Sequence, residues 1–171
     1  MKKIILSENL SIKKSNPNNP LDTGLIEELE KDEEINGKTG YLWPLSTNLR
    51  NKESLKNNDL LKSSYAIYLE KNPIGFLEIS DIFKTPNMYT VDLAYALHKS
   101  ARKKGYMKKV LTEVSSLLFE EYIEIDAITL MIDPRNINSR NTASKAGFKT
   151  DGRREEEYLE EGCVVYQKRR K

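Results

Sequence analysis

The stretch Leu97-His98-Lys99-Ser100-Ala101-Arg102-Lys103-Lys104-Gly105-Tyr106-Met107 decides the reading of this chain. Before it, residues 88–97 form a β-rich run; after it, Met107, Val110, Leu111, Val114, Leu117, Leu118 and Tyr122 recur at helical spacing. The stretch therefore joins a strand to a helix start, where the first N–H groups lack intrahelical acceptors and project from the end of a sheet. Lys99, Arg102, Lys103, Lys104, Lys108 and Lys109 crowd it with no acid among them, and Gly105 lets the backbone approach closely. An anion suits that geometry, because the helix dipole contributes about 0.3–1 kcal/mol and N–H bonds strengthen against a charged acceptor. The same basic run also reads as a solvated turn, and the residues alone leave both readings open.

Toward the N-terminus, residues 64–70 and 74–82 are β-rich and joined at Lys71-Asn72-Pro73, so with 88–97 they form three consecutive antiparallel strands. Residues 10–14 alternate and predict a first strand, and the turn-rich Ser15-Asn16-Pro17-Asn18-Asn19-Pro20 ends it. Leu21, Leu25, Ile26 and Leu29 predict a helix over 22–32 with one buried stripe and its acids on the wet face. Residues 33–62 are polar and broken by Asn36-Gly37, Thr39-Gly40 and Trp43-Pro44, with a short helix over 54–61.

Toward the C-terminus, residues 127–132 are continuously apolar, as a buried strand requires, and Asp133-Pro134 stops them. A second helix fits 137–146, ended by Gly147 where a left-handed cap is wanted. Residues 148–171 read as two strands around Glu160-Glu161-Gly162. The order β-α-α-β-β-β-α-β-α-β-β predicts an α/β (α+β) mixed sheet with helices on both faces.

A chain of 171 residues can bury one full core, and 38% hydrophobic content is enough to offset its ordering entropy, so a single domain over 1–171 is expected. No apolar run approaches a transmembrane length, and the apolar start is too short for a signal peptide, which predicts a cytoplasmic protein with no membrane partner. The lone Cys163 and lone His98 exclude an internal disulfide and a zinc cage, and no metal is expected. With 28 basic against 26 acidic residues the net charge is +2, too small for strong general attraction to nucleic acid. The acids bunch over 27–34 and 155–157.

Two segments together resemble a family. Arg102-Lys103-Lys104-Gly105-Tyr106-Met107 resembles the GNAT signature Arg/Gln-x-x-Gly-x-Gly/Ala, and Ala94-Tyr95-Ala96-Leu97 resembles the strand that contacts the cofactor in that superfamily. Further on, Asp133-Pro134-Arg135-Asn136-Ile137-Asn138-Ser139-Arg140-Asn141-Thr142-Ala143-Ser144-Lys145-Ala146-Gly147-Phe148 resembles its second block, Asn-x-x-Ser followed by Lys-x-Gly-Phe. The pair is far more specific than either part. The resemblance is strong over 89–152, extends to the preceding hairpin, and is topological over 1–63. Its Asn-x-x-Ser form is similar to the branch that includes ribosomal-protein-alanine acetyltransferases.

The resemblance implies a GNAT-like fold: a mostly antiparallel central sheet with a splayed parallel pair, here 91–97 and 127–132, and acetyl-CoA as cosubstrate. Carried over, the backbone of Leu97 and His98 bonds the pantetheine arm, and Arg102, Lys103, Lys104, Gly105, Tyr106 and Met107 wrap the pyrophosphate. Asn136, Ser139 and Lys145 lie along the arm and nucleotide. Met107 departs from the family's Gly or Ala, and either crowds the loop or turns into the helix core.

The implied function is N-acetyl transfer from acetyl-CoA to a primary amine, a protein N-terminus or a small molecule, by direct attack. Where many relatives place an acidic Tyr this chain has Ala143, and the Asn-x-x-Ser branch offers the Ser139 hydroxyl instead. Positions that often hold a basic Glu or His are Val91 and Leu93; Asp92 between them is the candidate base, although alternation points it to the opposite face unless a bulge intervenes. Glu78 is a second candidate, and His98 has the one unperturbed pKa near neutrality. Cys163 has no inferable partner as a nucleophile, and Tyr158 and Tyr166 read as packing residues.

In the family the acceptor groove borders the first helices and the last turn, which here carry Glu27, Glu28, Glu30, Asp32, Glu33 and Glu34, and Glu157, Glu160 and Glu161. Those acids suggest a cationic acceptor, or else a solvated face. The departures at Met107, Val91 and Ala143 keep a second reading open, a catalytically silent acyl-CoA-binding regulator. Acidic flanks argue against nucleic acid as partner. The resemblance admits a homodimer, and no residue argues for one.

Overall fold

The two runs expected to pair in parallel do so. The structure is a computed structural model and describes residues 3–16, 18–38, 63–85, 88–150, 154–155 and 162–171. Along the chain run β1 (Lys3–Ile5), β2 (Leu10–Lys14), α1 (Pro20–Glu30), α2 (Glu33–Lys38), β3 (Ser63–Leu69), β4 (Asn72–Thr85) and β5 (Met88–Leu97). A 3-10 turn (Lys99–Ala101) follows, then α3 (Tyr106–Glu121), β6 (Ala127–Ile132), α4 (Ile137–Lys145), β7 (Arg154–Glu155) and β8 (Cys163–Arg169). The described strands are hydrogen-bonded in the order β1-β2-β3-β4-β5-β6-β8-β7. The β5–β6 pair is parallel, and β1–β2, β2–β3, β3–β4, β6–β8 and β7–β8 are antiparallel.

The parallel ladder joins Thr90 to Ala127, Val91 to Ile128 and Asp92 to Thr129, and ends there although β5 continues to Leu97 and β6 to Ile132. This is the mixed α/β sheet expected. The helix over 54–61, the breaks at 39–44, Tyr158 and the acids at 156–161 lie outside the described residues.

By its internal contacts the chain divides into two compact units, Met1–Ile79 with Tyr95–Tyr106, and Ser80–Ala94 with Met107–Lys171. In the first, the Asn19 side chain caps α1 by accepting from the Leu21 N–H at 3.2 Å, and Pro20 follows at the first helical position. Leu25 and Leu29 are buried against Ala66, Tyr68, Phe76 and Ala96. Burying side chains of this size contributes about 1.5–3 kcal/mol each.

Leu21, expected on that stripe, is 55% exposed, while Asp22, expected on the wet face, is 2% exposed. The exchange has a local cause. Asp22 accepts from the Asn16 N–H at 2.9 Å, from Asn19 Nδ2 at 3.1 Å and from the Tyr68 hydroxyl, so its burial leaves no bare charge. Burial, together with the hydrogen bond and charge of Asp22, pushes the Tyr68 hydroxyl above its usual range.

Two elements were not foreseen. Strand β1 pairs Lys3 with Lys13, Ile4 with Ile12 and Ile5 with Ser11, too short a run to show a period. Helix α2 forms across Asn36-Gly37, with Asp32 Oδ1 accepting from the Glu34 N–H at 3.0 Å. Gly75 on β4 is a third surprise: a Cβ there would lie 2.3 Å from the Ala96 carbonyl oxygen and 2.6 Å from Leu97 Cδ2. Only glycine admits β5 at that distance.

In the second unit, α3 buries Met107, Val110, Leu111, Val114 and Leu118 of the expected stripe, with Ser115 beside them, while Leu117 and Tyr122 are half-buried. Its far end is closed by Arg170, which donates to the carbonyls of Phe119 at 2.6 Å, Tyr122 at 2.5 Å and Ile125 at 3.0 Å. A guanidinium thereby satisfies helix-terminal acceptors. Lys168 on β8 donates to Ser115 Oγ at 2.7 Å, and burial holds its ammonium below the usual lysine range. Helix α4 ends as read, with Gly147 at φ 89°.

Candidate functional site

The turn that enters α3 carries two left-handed residues, Lys103 at φ 61° and Gly105 at φ 79°. Glycine takes that conformation freely; for lysine it costs about 1–2 kcal/mol. The N–H groups from Lys103 to Lys108 meet no acceptor among the described residues. A Cβ built on Gly105 meets nothing within 4 Å, so the space beside that residue is open. Lys103, Lys104, Lys108 and Lys109 are exposed around it. Successive free N–H groups in a turn of this kind form an anion-binding concavity.

Arg102 does not join them. Its guanidinium donates from Nε to the Leu97 carbonyl at 3.0 Å, from one terminal nitrogen to Asp32 Oδ2 at 2.7 Å and from the other to Glu34 Oε2 at 2.9 Å. Arg102 was expected with Lys103 to Met107 around the pyrophosphate; here its fork is held by two carboxylates of the chain itself. Burial raises the Asp32 pKa, but the hydrogen bond and charge of Arg102, with the Glu34 and Ile35 N–H groups, outweigh it and hold the carboxyl below its usual range.

The expected pantetheine contacts are narrowed in the same way. The Leu97 carbonyl accepts from Arg102, and the His98 N–H donates to the Ile74 carbonyl at 2.9 Å. The His98 ring also has partners. Its Nδ1 accepts from the Ser100 N–H at 3.3 Å and lies 2.7 Å from the Ser100 hydroxyl, and Nε2 faces Glu28 Oε2 at 3.3 Å.

In the second unit, Asn136 and Ser139 stand at the start of α4. The Asn136 side chain accepts from the Ser139 N–H at 3.1 Å, which makes it the helix cap. Lys145 lies exposed at the other end, about 12 Å away along the axis, so the three residues expected along the cofactor are not gathered at one point. Just before the helix, Asp133 is 5% exposed and accepts from the Arg135 N–H at 2.8 Å and from its guanidinium at 2.7 Å. The Arg135 hydrogen bond lowers the Asp133 pKa, burial opposes it, and the Arg135 N–H and charge complete a net lowering.

A family model described as an acetyltransferase (GNAT) domain matches residues 20–149. This chain belongs to the GNAT family. No curated protein matches it in sequence. Among solved structures it is similar to RimL, the ribosomal L7/L12 α-N-protein acetyltransferase solved with coenzyme A, at TM-score 0.74 and 18% identity over 98% of each chain. It is similar to the ribosomal-protein-S5-alanine acetyltransferase of Vibrio fischeri at TM-score 0.71 and 15% identity, over 99% of this chain and 97% of that one. It is also similar to AAC(6')-Ib in complex with paromomycin and acetyl-CoA at TM-score 0.71 and 18% identity, over 95% and 94%. At these identities the likeness speaks for the fold.

As a GNAT chain this protein departs from the family pattern at buried positions. Met107 is 5% exposed, so its side chain turns into the α3 core and does not crowd the turn. Val91 and Ala143 are fully buried and Leu93 is 2% exposed. Asp92, offered as a base, is 8% exposed and accepts from Thr129 Oγ1 at 3.0 Å across the parallel ladder, a use that ties two strands together. Glu78 is 6% exposed and pairs in register with Ser64. Burial, then the charges of Asp133 and Asp92, push the Cys163 thiol up, away from the thiolate a nucleophile needs.

The acids near α1 and α2 are likewise partly spent, since Asp32 and Glu34 pair with Arg102 and Glu28 faces His98. The pull toward a cationic acceptor is smaller than the count of carboxylates suggests. No three His, Cys, Asp or Glu side chains come together as a metal site among the described residues, and no helix among them is long and apolar enough to cross a membrane. The pairing of Asp32 and Glu34 with Arg102, and the need for glycine at 75, were missed in sequence because the partners lie far along the chain. Only the arginine in the signature hinted that something must receive its charge.

Proposed function

We infer that this protein is an N-acetyltransferase that takes its acetyl group from acetyl-CoA and delivers it to a primary amine, working as one functional domain. The observation that carries this is the turn from Lys103 to Lys108, where Lys103 and Gly105 are left-handed, a row of N–H groups at a helix start meets no acceptor among the described residues, and the space beside Gly105 is open. A pyrophosphate fits such a row in charge and hydrogen-bonding demand. Acetyl-CoA supplies an activated acetyl thioester, and the chain's own residues have to hold it, orient an amine and move protons.

Backbone N–H groups of Lys103, Lys104, Gly105, Tyr106 and Met107 take the anion, with exposed Lys103, Lys104 and Lys108 adding charge. The Ser139 hydroxyl is the group proposed to return a proton to the departing sulfur, since Ala143 carries none. The acceptor is an uncharged amine at the moment of attack, a protein N-terminus or a small molecule. Asp92 is not carried forward as its base.

Isothermal titration with acetyl-CoA tests the reading. Wild-type protein is expected to bind in the micromolar range, and Gly105→Asp to lose binding, because a carboxylate and a side chain would enter the open face of the turn. Absence of binding by the wild type removes the acetyltransferase assignment. The buried apolar residues at 91, 93 and 143 favour a second reading, an acyl-CoA binder without turnover. Binding without acetylation across a broad amine panel would select it.

A further inference from the structure

Lys103 holds a left-handed backbone, and a non-glycine residue stays in that region only where its surroundings over-determine it. On one side, a Cβ built on Gly105 would meet nothing within 4 Å. On the other, one residue upstream, Arg102 is firmly held. Its planar fork is fixed at three points, the Leu97 carbonyl, Asp32 and Glu34.

Of the two carboxylates, Asp32 is the tighter and drier partner, at 2.7 Å with its side chain 11% exposed, against 2.9 Å and 46% for Glu34. Asp32 is itself held, because its other oxygen accepts from the Glu34 N–H at 3.0 Å. We propose that Asp32 is a positioning residue for the cofactor turn: it seats Arg102 so that Lys103 keeps its left-handed conformation before any ligand arrives. Asp32 touches no ligand in this scheme. It raises the fraction of molecules whose N–H row is already formed, and the apparent dissociation constant varies inversely with that fraction.

The inference rests on the acetyl-CoA reading of the turn. It separates Asp32 from ordinary structural residues in one respect, since its loss should be compensated wherever left-handed backbone at position 103 becomes easy. Glycine makes it easy. A lysine in place of Arg102 should not rescue, because an ammonium lacks the fork that spans three acceptors.

The test is titration with coenzyme A of the full chain, its Asp32→Asn and Lys103→Gly variants and the double variant, with thermal melting of each. Asp32→Asn is expected to weaken binding about tenfold with little change in Tm, and in the presence of Lys103→Gly the same substitution should weaken it by no more than about threefold. Arg102→Lys provides a second break in the same contact and should weaken binding to a similar extent as Asp32→Asn. An Asp32→Asn effect equal in both backgrounds, or none in a folded variant, overturns the role of Asp32 and leaves the cofactor reading standing. Failure of the wild type to bind coenzyme A overturns both.

Discussion

The starts of α3 and α4 are built from similar material and end up opposite. Each follows a strand of the parallel pair, each is preceded by an aspartate or arginine in an ion pair, and each opens with N–H groups that need acceptors. At α4 the chain closes its own helix, with Asn136 capping the Ser139 N–H at 3.1 Å. At α3 it leaves the N–H groups open and holds Lys103 and Gly105 left-handed. A helix start satisfied from within is structural; one held open at a cost is available to a ligand.

Their ion pairs differ in reach. Arg135 binds Asp133 two residues away, whereas Arg102 binds Asp32 seventy residues away. The first pair follows from local sequence. The second exists only once the chain has folded.

The contrast breaks most sharply at Gly105. Gly105→Asp should lower coenzyme A affinity by about 100-fold or more, at least the upper end of what one charged hydrogen bond is worth, with a small stability cost measured by thermal melting. If Gly105→Asp binds normally, the α3 start is not the ligand side of the comparison. Next in size, Gly75→Ala forces a methyl into the Ala96 carbonyl at the end of β5, and should cost about 1–3 kcal/mol, read as a fall in the denaturation midpoint. A variant as stable as wild type would mean that the strands separate freely there.

Asn136→Ala should cost about 1 kcal/mol of stability by uncapping α4. Coenzyme A affinity should change little, and a large loss would move Asn136 to the ligand side. The smallest expected effect concerns pH. Asp32 and Asp133 both have folded pKa values below the usual carboxylate range. For each, the unfolded chain binds its proton at a higher pH, so the stabilisation is complete above about pH 4 and is lost as pH falls through the folded value. Carboxyl NMR titration should find both midpoints low, and Arg135→Gln should raise that of Asp133 alone.

The periodic elements were legible because their cause is local. The α3 stripe, the apolar β6 run and the left-handed Gly147 each follow from residues adjacent in sequence or one turn apart. So did the glycine in the turn. The side-chain partners were not legible: Arg102 is visible in its motif and Asp32 in its acidic run, but that the two pair, and that Thr129 faces Asp92, depends on segments far apart in the chain. Leu21 and Asp22 changed places because Tyr68, from another strand, offers its hydroxyl to the acid.

The sequence by itself determined the order of elements from β3 onward, the position of an N–H-rich turn before the strongest helix, and the family, because spacing and motif are properties of neighbouring residues. Tertiary structure decided which side chains meet: Arg102 and Asp32 are 2.7 Å apart in a largely buried setting, and a pair seventy residues apart forms only when the fold brings its members out of water together.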